Sequence, residues 1–189
     1  IILGNAGKAA ELARGALALE PGNSDAYNSL IVAEGKKLDL SSIIELVPKA
    51  YRDQTDVALA ISNEARKKDN YIEAINWAER GISFSKGKNM PVVNAYLATV
   101  IFESINYPFD VFSGQVSQDM TNKAKYVIEL YDSAWGEVKG TLLAAVNTDW
   151  LKGRAQAKKM VGDLKGYFAD MLECAECKSS LQNLHNLAY

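Results

Sequence analysis

The stretch Tyr71-Ile72-Glu73-Ala74-Ile75-Asn76-Trp77-Ala78-Glu79-Arg80-Gly81-Ile82 puts small residues at 74, 78 and 81. Steps of four and three residues return to the same side of an α-helix. Ala74, Ala78 and Gly81 therefore form a narrow face, which a second helix can approach at the short end of the usual ~8–10 Å. The spacing recurs near both ends of the chain. Ala9, Ala13 and Ala16 precede Pro21, and Gly162-Asp163-Leu164 leads into Tyr167, Met171 and Cys174-Ala175. A small-residue face repeated in this way is what stacked helical hairpins require.

The helix preceding each such face has a pattern of its own. Ala26-Tyr27, Leu30-Ile31 and Glu34 recur as Ala58, Ile61-Ser62 and Ala65. Aligned on these positions, units start near Ser24, Thr55, Asn89 and Thr148, at intervals of 31, 34 and 59 residues. The last interval exceeds the period by 25 residues, so the unit starting near Asn89 carries an insertion.

The rest of the chain reads as helices joined by short breaks. Only 4 prolines and 13 glycines interrupt 189 residues that are 48% apolar and 23% charged, the balance of a folded globular chain. Helices are expected over Lys8–Leu19, from Ser24 or Asp25 to Lys37, over Leu40–Tyr51, Thr55–Lys68 and Tyr71–Phe84, and over 92–105. Further helices are expected over Ser117–Val138, Leu142–Val161 and Leu164–Cys177, with a short one from Ser179. Ser24 or Asp25 is expected to cap the second helix. Pro48 is expected to kink or split the third, since it lacks a donor and crowds the preceding turn. PVVNAYLATVIF (91–102) has the β-branched content of a strand but runs on without a turn signal, so it reads as a buried helix. Ser85–Asn89 reads as a loop, and so does the aromatic break Tyr107-Pro108-Phe109-Asp110-Val111-Phe112, expected to tuck its rings against the helices.

Charge excludes one class of partner. With 21 Lys+Arg against 23 Asp+Glu the formal net charge is −2, so no basic excess exists to neutralise nucleic-acid phosphates. No apolar run approaches the ~18–20 residues of a membrane span.

Few residues suggest catalysis. Cys174 and Cys177 form a CxxC motif on a helix, and His185 is the sole histidine. The pair can supply two of four zinc ligands. Redox pairs instead occupy helix N-termini, where thiolate is stabilised. Packing is the expected role, with zinc the alternative. Gly4-Asn5-Ala6-Gly7-Lys8 lacks the first glycine and the magnesium-binding hydroxyl of a phosphate-binding loop. Glu129 and Asp132, Arg66-Lys67-Lys68 and Lys158-Lys159 read as solvated helix faces and ends. Neither a catalytic set nor a cofactor is expected.

Taken together, Ala9/Ala13/Ala16/Pro21, Tyr27/Leu30, Tyr71/Ala74/Ala78/Gly81 and Gly162-Asp163 resemble the tetratricopeptide-repeat family. Ile43 and Val47, where small residues belong, depart from its pattern. The resemblance implies an all-α, right-handed α-solenoid of stacked antiparallel helix hairpins. It divides 1–189 into a half-unit near 7–22, units near 24–53, 55–88, 89–139 and 142–178, and a C-terminal helix 179–189. A half-unit at one end implies a piece of a longer protein. In such arrays the first helix of each unit lines a concave groove that takes a peptide or a partner helix. Carried onto this chain, that face comprises Asp25, Asn28, Val32 and Lys36, then Asp56, Leu59, Asn63 and Lys67, then Asp149, Lys152, Gln156 and Lys159. The implied role is a non-enzymatic protein–protein interaction scaffold, expected to be cytoplasmic. The alternative is a regulatory or substrate-positioning domain of a larger enzyme. Self-association through the solenoid ends is a further expectation.

Overall fold

The computed structural model describes residues 5–85, 90–106, 116–141, 144 and 147–187; the side chains of 106 and 180–187 fall outside it. The break 107–112 and the P-loop-like Gly4 also lie outside, as does most of the loop 85–89. Contacts group the chain into two units, Ile1–Gly87 and Lys88–Tyr189.

In the first unit, α1 (Ala6–Leu19), α2 (Ser24–Glu34), α3 (Leu40–Glu45), α4 (Thr55–Lys67) and α5 (Tyr71–Phe84) follow in order. Side-chain oxygens cap the N-termini of these helices except α4, where Gln54 makes no such bond. Asn5 accepts from the Lys8 N–H, Asp39 from Ser42 and Asn70 from Glu73. The cap of α2 is Asn23, which accepts from the Ala26 N–H at 2.9 Å, rather than Ser24 or Asp25. Ser24 and Asp25 already lie inside the helix, where their own N–H groups are among those needing an acceptor. Pro48 splits its helix: extended at φ −56° and ψ 143°, it separates α3 from a 3₁₀ turn at Lys49–Tyr51.

Helices α1 and α2 form one antiparallel hairpin and α4 and α5 another; α4 also lies against α2 and α3. The core between them holds Tyr27, Ile31, Ile43, Val47, Val57, Ile61 and Trp77. Burying a large aliphatic or aromatic side chain contributes about 1.5–3 kcal/mol. Ile43 and Val47, out of place in a small-residue pattern, are fully buried here. On α5 the small-residue face does what its spacing predicts. Ala74, Ala78 and Gly81 are buried. A Cβ on Gly81 would come within 3.0 Å of Leu59 and 3.7 Å of Ala58 on α4.

The second unit comprises α6 (Met90–Asn106), α7 (Gln118–Val138), α8 (Thr148–Met160) and α9 (Leu164–Leu187). The ambiguous stretch 91–102 is helix. Val93, Ala95, Leu97, Ala98, Val100 and Ile101 are buried around most of its circumference, which explains β-branched residues in a helix. Helices α6 and α7 pair, α8 and α9 pair, and α8 lies against both α6 and α7. Ser117 caps α7. One boundary differs from expectation. Helix α8 starts at Thr148, near where the last unit is aligned, after Asn147 at φ −110° and ψ 33°; Ala144 before it is helical, and 142, 143, 145 and 146 lie outside the described residues. The break expected near Ser179 is absent, and α9 runs on to Leu187. Neither proline nor glycine stands there to stop it. Gly162 at φ +83° makes the turn between α8 and α9.

No strand occurs among the described residues. The architecture is all-α, built of antiparallel helical hairpins in the manner of tetratricopeptide repeats.

Candidate protein-interaction faces

Helices α2 and α4 lie side by side, which brings eight of the sequence-derived residues into one region of the first unit. Asp25, Asn28, Val32 and Asp56 are exposed. The Ser24 hydroxyl donates to the Asp56 carboxylate at 3.5 Å, joining the two helix starts. Lys36 is exposed but stands in the turn beyond the end of α2. Leu59 is half-buried and covers Gly81. Asn63 is half-buried. Lys67 donates to Glu64 at 2.6 Å, so its charge serves a carboxylate that is itself 2% exposed.

Glu64 was not apparent from the sequence as a site-building residue. It falls three residues after Ile61 and seven after Val57 on the buried stripe of α4, and this spacing is the signal that could have found it. Its carboxylate occupies the place where any Cβ at Gly35 would stand. Lys68 donates to the Gly35 carbonyl at 2.8 Å. Glu64, Lys67 and Lys68 thus fasten the end of α2 to α4 and set the floor of this face.

The remaining four residues lie on α8 in the second unit. Asp149 and Gln156 are exposed, and Lys159 sits 5.8 Å above the Tyr167 ring. Lys152 pairs with Asp149 at 2.6 Å one turn away. That hydrogen bond lowers the Asp149 pKa and raises that of Lys152. In α6 the equivalent register falls on Val93, Leu97 and Ile101, all buried, so it exposes no matching polar row.

A second feature of the first unit is an open groove of about 390 Å³ between α1 and α2. Ala9, Leu12, Ala13, Ala16, Asn23, Asp25, Ala26 and Ser29 line it. On α1 the spacing predicts a buried Ala9/Ala13/Ala16 face, but Ala9 is exposed and Ala16 half-exposed, while Ala10 and Ala13 are buried. Arg14 donates to Glu34 at 2.9 Å across the hairpin.

A buried charge network joins three helices of the second unit. Arg154 on α8, 8% exposed, holds Asp170 on α9 with two hydrogen bonds at 2.9 and 2.7 Å. Its third contact reaches Asp132 on α7 at 2.8 Å. Lys158 meets Asp170 at 2.9 Å, and Lys139 meets Glu173 at 2.6 Å. Burial alone would lower the Arg154 pKa, but Asp170 and Asp132 outweigh it and the pKa is raised. Lys158, read from sequence as a solvated helix end, is half-buried in this network, while Asp132 stays exposed at its edge.

The cysteines lie in the core of the same unit. Cys174 packs with Trp135, Val138 and Leu151, and its thiol donates to the Thr148 carbonyl at 3.6 Å. Burial, then Glu173, push the Cys177 thiol pKa up, the wrong direction for a reactive thiolate. Among the described residues no three His, Cys, Asp or Glu side chains converge to hold a metal. The His185 side chain lies outside the description. No described helix is long and apolar enough to cross a membrane.

No protein-family model matches the chain, and no curated protein matches it. Among solved structures it is similar in fold to one titled "Crystal structure of MamA protein". The TM-score is 0.57 and the identity 15%, over 90% of this chain and 83% of that one. At that identity the likeness is one of fold, and it places the chain among tetratricopeptide-like helical structures.

Proposed function

We propose that the protein is a non-enzymatic interaction scaffold that binds a peptide or partner helix on the exposed faces of its first-helix row. The observation that carries this reading is the α2–α4 face. Asp25, Asn28, Val32 and Asp56 stand exposed on adjacent helices whose backs are locked into the core. Such a face offers alternating acceptors, an amide and an apolar contact on a rigid backing, which lowers the entropic cost of binding an extended or helical segment. The similarity to MamA is consistent with this use of the fold.

The test is affinity capture with the purified chain and an Asp25→Lys/Asn28→Glu/Asp56→Lys variant. All three side chains are exposed, so the fold is expected to survive, and circular dichroism checks that it does. Lys67 is a poor choice for reversal, because a carboxylate there would face buried Glu64. Loss of a captured protein at least tenfold is expected. Capture unchanged by the triple variant would overturn the assignment of this face.

A further inference from the structure

The α2–α4 face has a direction. Its two helices run parallel: their starts meet where the Ser24 hydroxyl reaches Asp56, and their ends meet where Lys68 donates to the Gly35 carbonyl. Charge is sorted along that direction. Asp25 and Asp56 stand exposed at the starts, and neither makes an ion pair among the described residues. Lys36 and Lys68 stand exposed at the far end, again with no ion pair among the described residues. The third cation there, Lys67, is taken up by Glu64 at 2.6 Å. Asp39 stands close enough to Lys68 to offset part of its charge. The rise of the helix separates Asp56 from Lys68 by about 18 Å. The face is therefore acidic at one pole and basic at the other.

Between the poles lie Asn28 and Val32 on α2 and Asn63 on α4. Neither asparagine side chain has a hydrogen-bond partner among the described residues. An amide donates and accepts at once, which is what an unpaired peptide unit requires. A bound helix satisfies its own peptide units and would leave both amides unused. An extended segment presents its N–H and C=O groups to them.

Building on the reading of this face as a binding surface, we infer that its partner is an extended segment with opposite charges at its two ends. Lys or Arg of the partner lies over Asp25 and Asp56, and Asp or Glu lies over Lys36 and Lys68. Side chains four or six positions apart share an edge of an extended chain and stand about 13–20 Å apart, which brackets the separation of the poles. The flexible lysine stems take up the difference. An apolar residue between the two charges meets Val32. A segment carrying a single sign of charge is repelled at one pole whichever way it lies, so the face rejects it.

Selection of peptides from a phage-displayed random library on the purified chain tests this. Enriched sequences are expected to hold Lys or Arg four or six positions from Asp or Glu. A synthetic peptide of that pattern is expected to bind about tenfold more weakly once its acidic residue is made Lys. Asp25→Lys/Asp56→Lys in the chain should weaken binding of the original peptide by about tenfold, and a peptide with Glu in place of its basic residue should regain the loss. Should circular dichroism show that the reversed chain loses helicity, Asp25→Asn/Asp56→Asn takes its place and should weaken binding several-fold. Peptides that are lost in an Asn28→Glu chain, but carry one sign of charge, none, or an amphipathic helical pattern, overturn the bipolar extended partner and leave the face standing as a binding surface. Peptides insensitive to all of these substitutions, or no enrichment at all, overturn the face and this inference with it.

Discussion

The two units hold their helices together by different means. In the first, the helices meet through apolar interdigitation: Ile31, Ile43, Val57, Ile61 and Trp77 fill the space that the small faces leave open. In the second, apolar packing is supplemented by a guanidinium that reaches carboxylates on both neighbouring helices. Apolar contact is non-directional and tolerates small shifts. A buried bidentate pair fixes position and angle, at the expense of desolvating both charges. The unit that departs furthest from a regular repeat spacing is the one fixed by a directional network.

Substitution separates the two modes. Arg154→Met strands Asp170, 3% exposed, beside Lys158 alone. It is expected to cost about 3–5 kcal/mol. Hydrogen exchange should then rise in α7, α8 and α9 while α2 and α4 keep their protection. Replacing Asp170 by Leu in the same chain should recover part of the loss, since the buried carboxylate is gone while Lys158, 16% exposed, then lacks its partner. If Arg154→Met alone left the protection of α9 intact, the network would be ornamental.

Ile61→Ala tests the apolar mode. The side chain is fully buried between α2, α3 and α4, and its loss should cost about 2–4 kcal/mol. Unlike Arg154→Met, it has no compensating partner. A denaturation midpoint shifted by well under 1 kcal/mol would show that the core collapses around the gap.

The smallest effect is electrostatic and lies in the first unit. The Arg14 hydrogen bond, with the Lys37 charge, holds the Glu34 carboxyl below its usual range despite some burial. A carboxylate with a lowered folded pKa stabilises the fold above its unfolded pKa and loses that contribution as pH falls through the folded value. Protection of the α1–α2 hairpin should therefore decline below about pH 4. In Arg14→Gln the decline should be shallower, because the folded pKa then lies closer to the unfolded one. Identical profiles for the two proteins would remove Arg14 as the cause.

Much of this fold was legible in sequence because helical periodicity is local. The Ala74/Ala78/Gly81 face, the split at Pro48 and the helical nature of 91–102 follow from neighbours within a few turns. The cap at Asn23 was missed by one residue, because adjacent Ser, Asn and Asp side chains compete to accept the same N–H groups. The uninterrupted α9 was missed because polar composition was read as a break where no breaker stands. For the candidate faces, the family resemblance implied Asp25, Asn28, Val32 and Asp56 among the groove residues, and all four are exposed. The three-residue step from Glu64 to Lys67 was open to sequence reading, but the sequence had no means of showing that Leu59 is spent on Gly81.

The sequence by itself determined that the chain is all helix, where most hairpins turn and which faces are small enough for close approach. Each of these depends on residues within about one repeat of one another. Tertiary structure alone decided that Leu59 fills the small face of α5, and that Arg154 meets Asp132 and Asp170. Those outcomes depend on which helices lie side by side, and a burial or a charge pair between distant residues leaves no periodic trace along the chain.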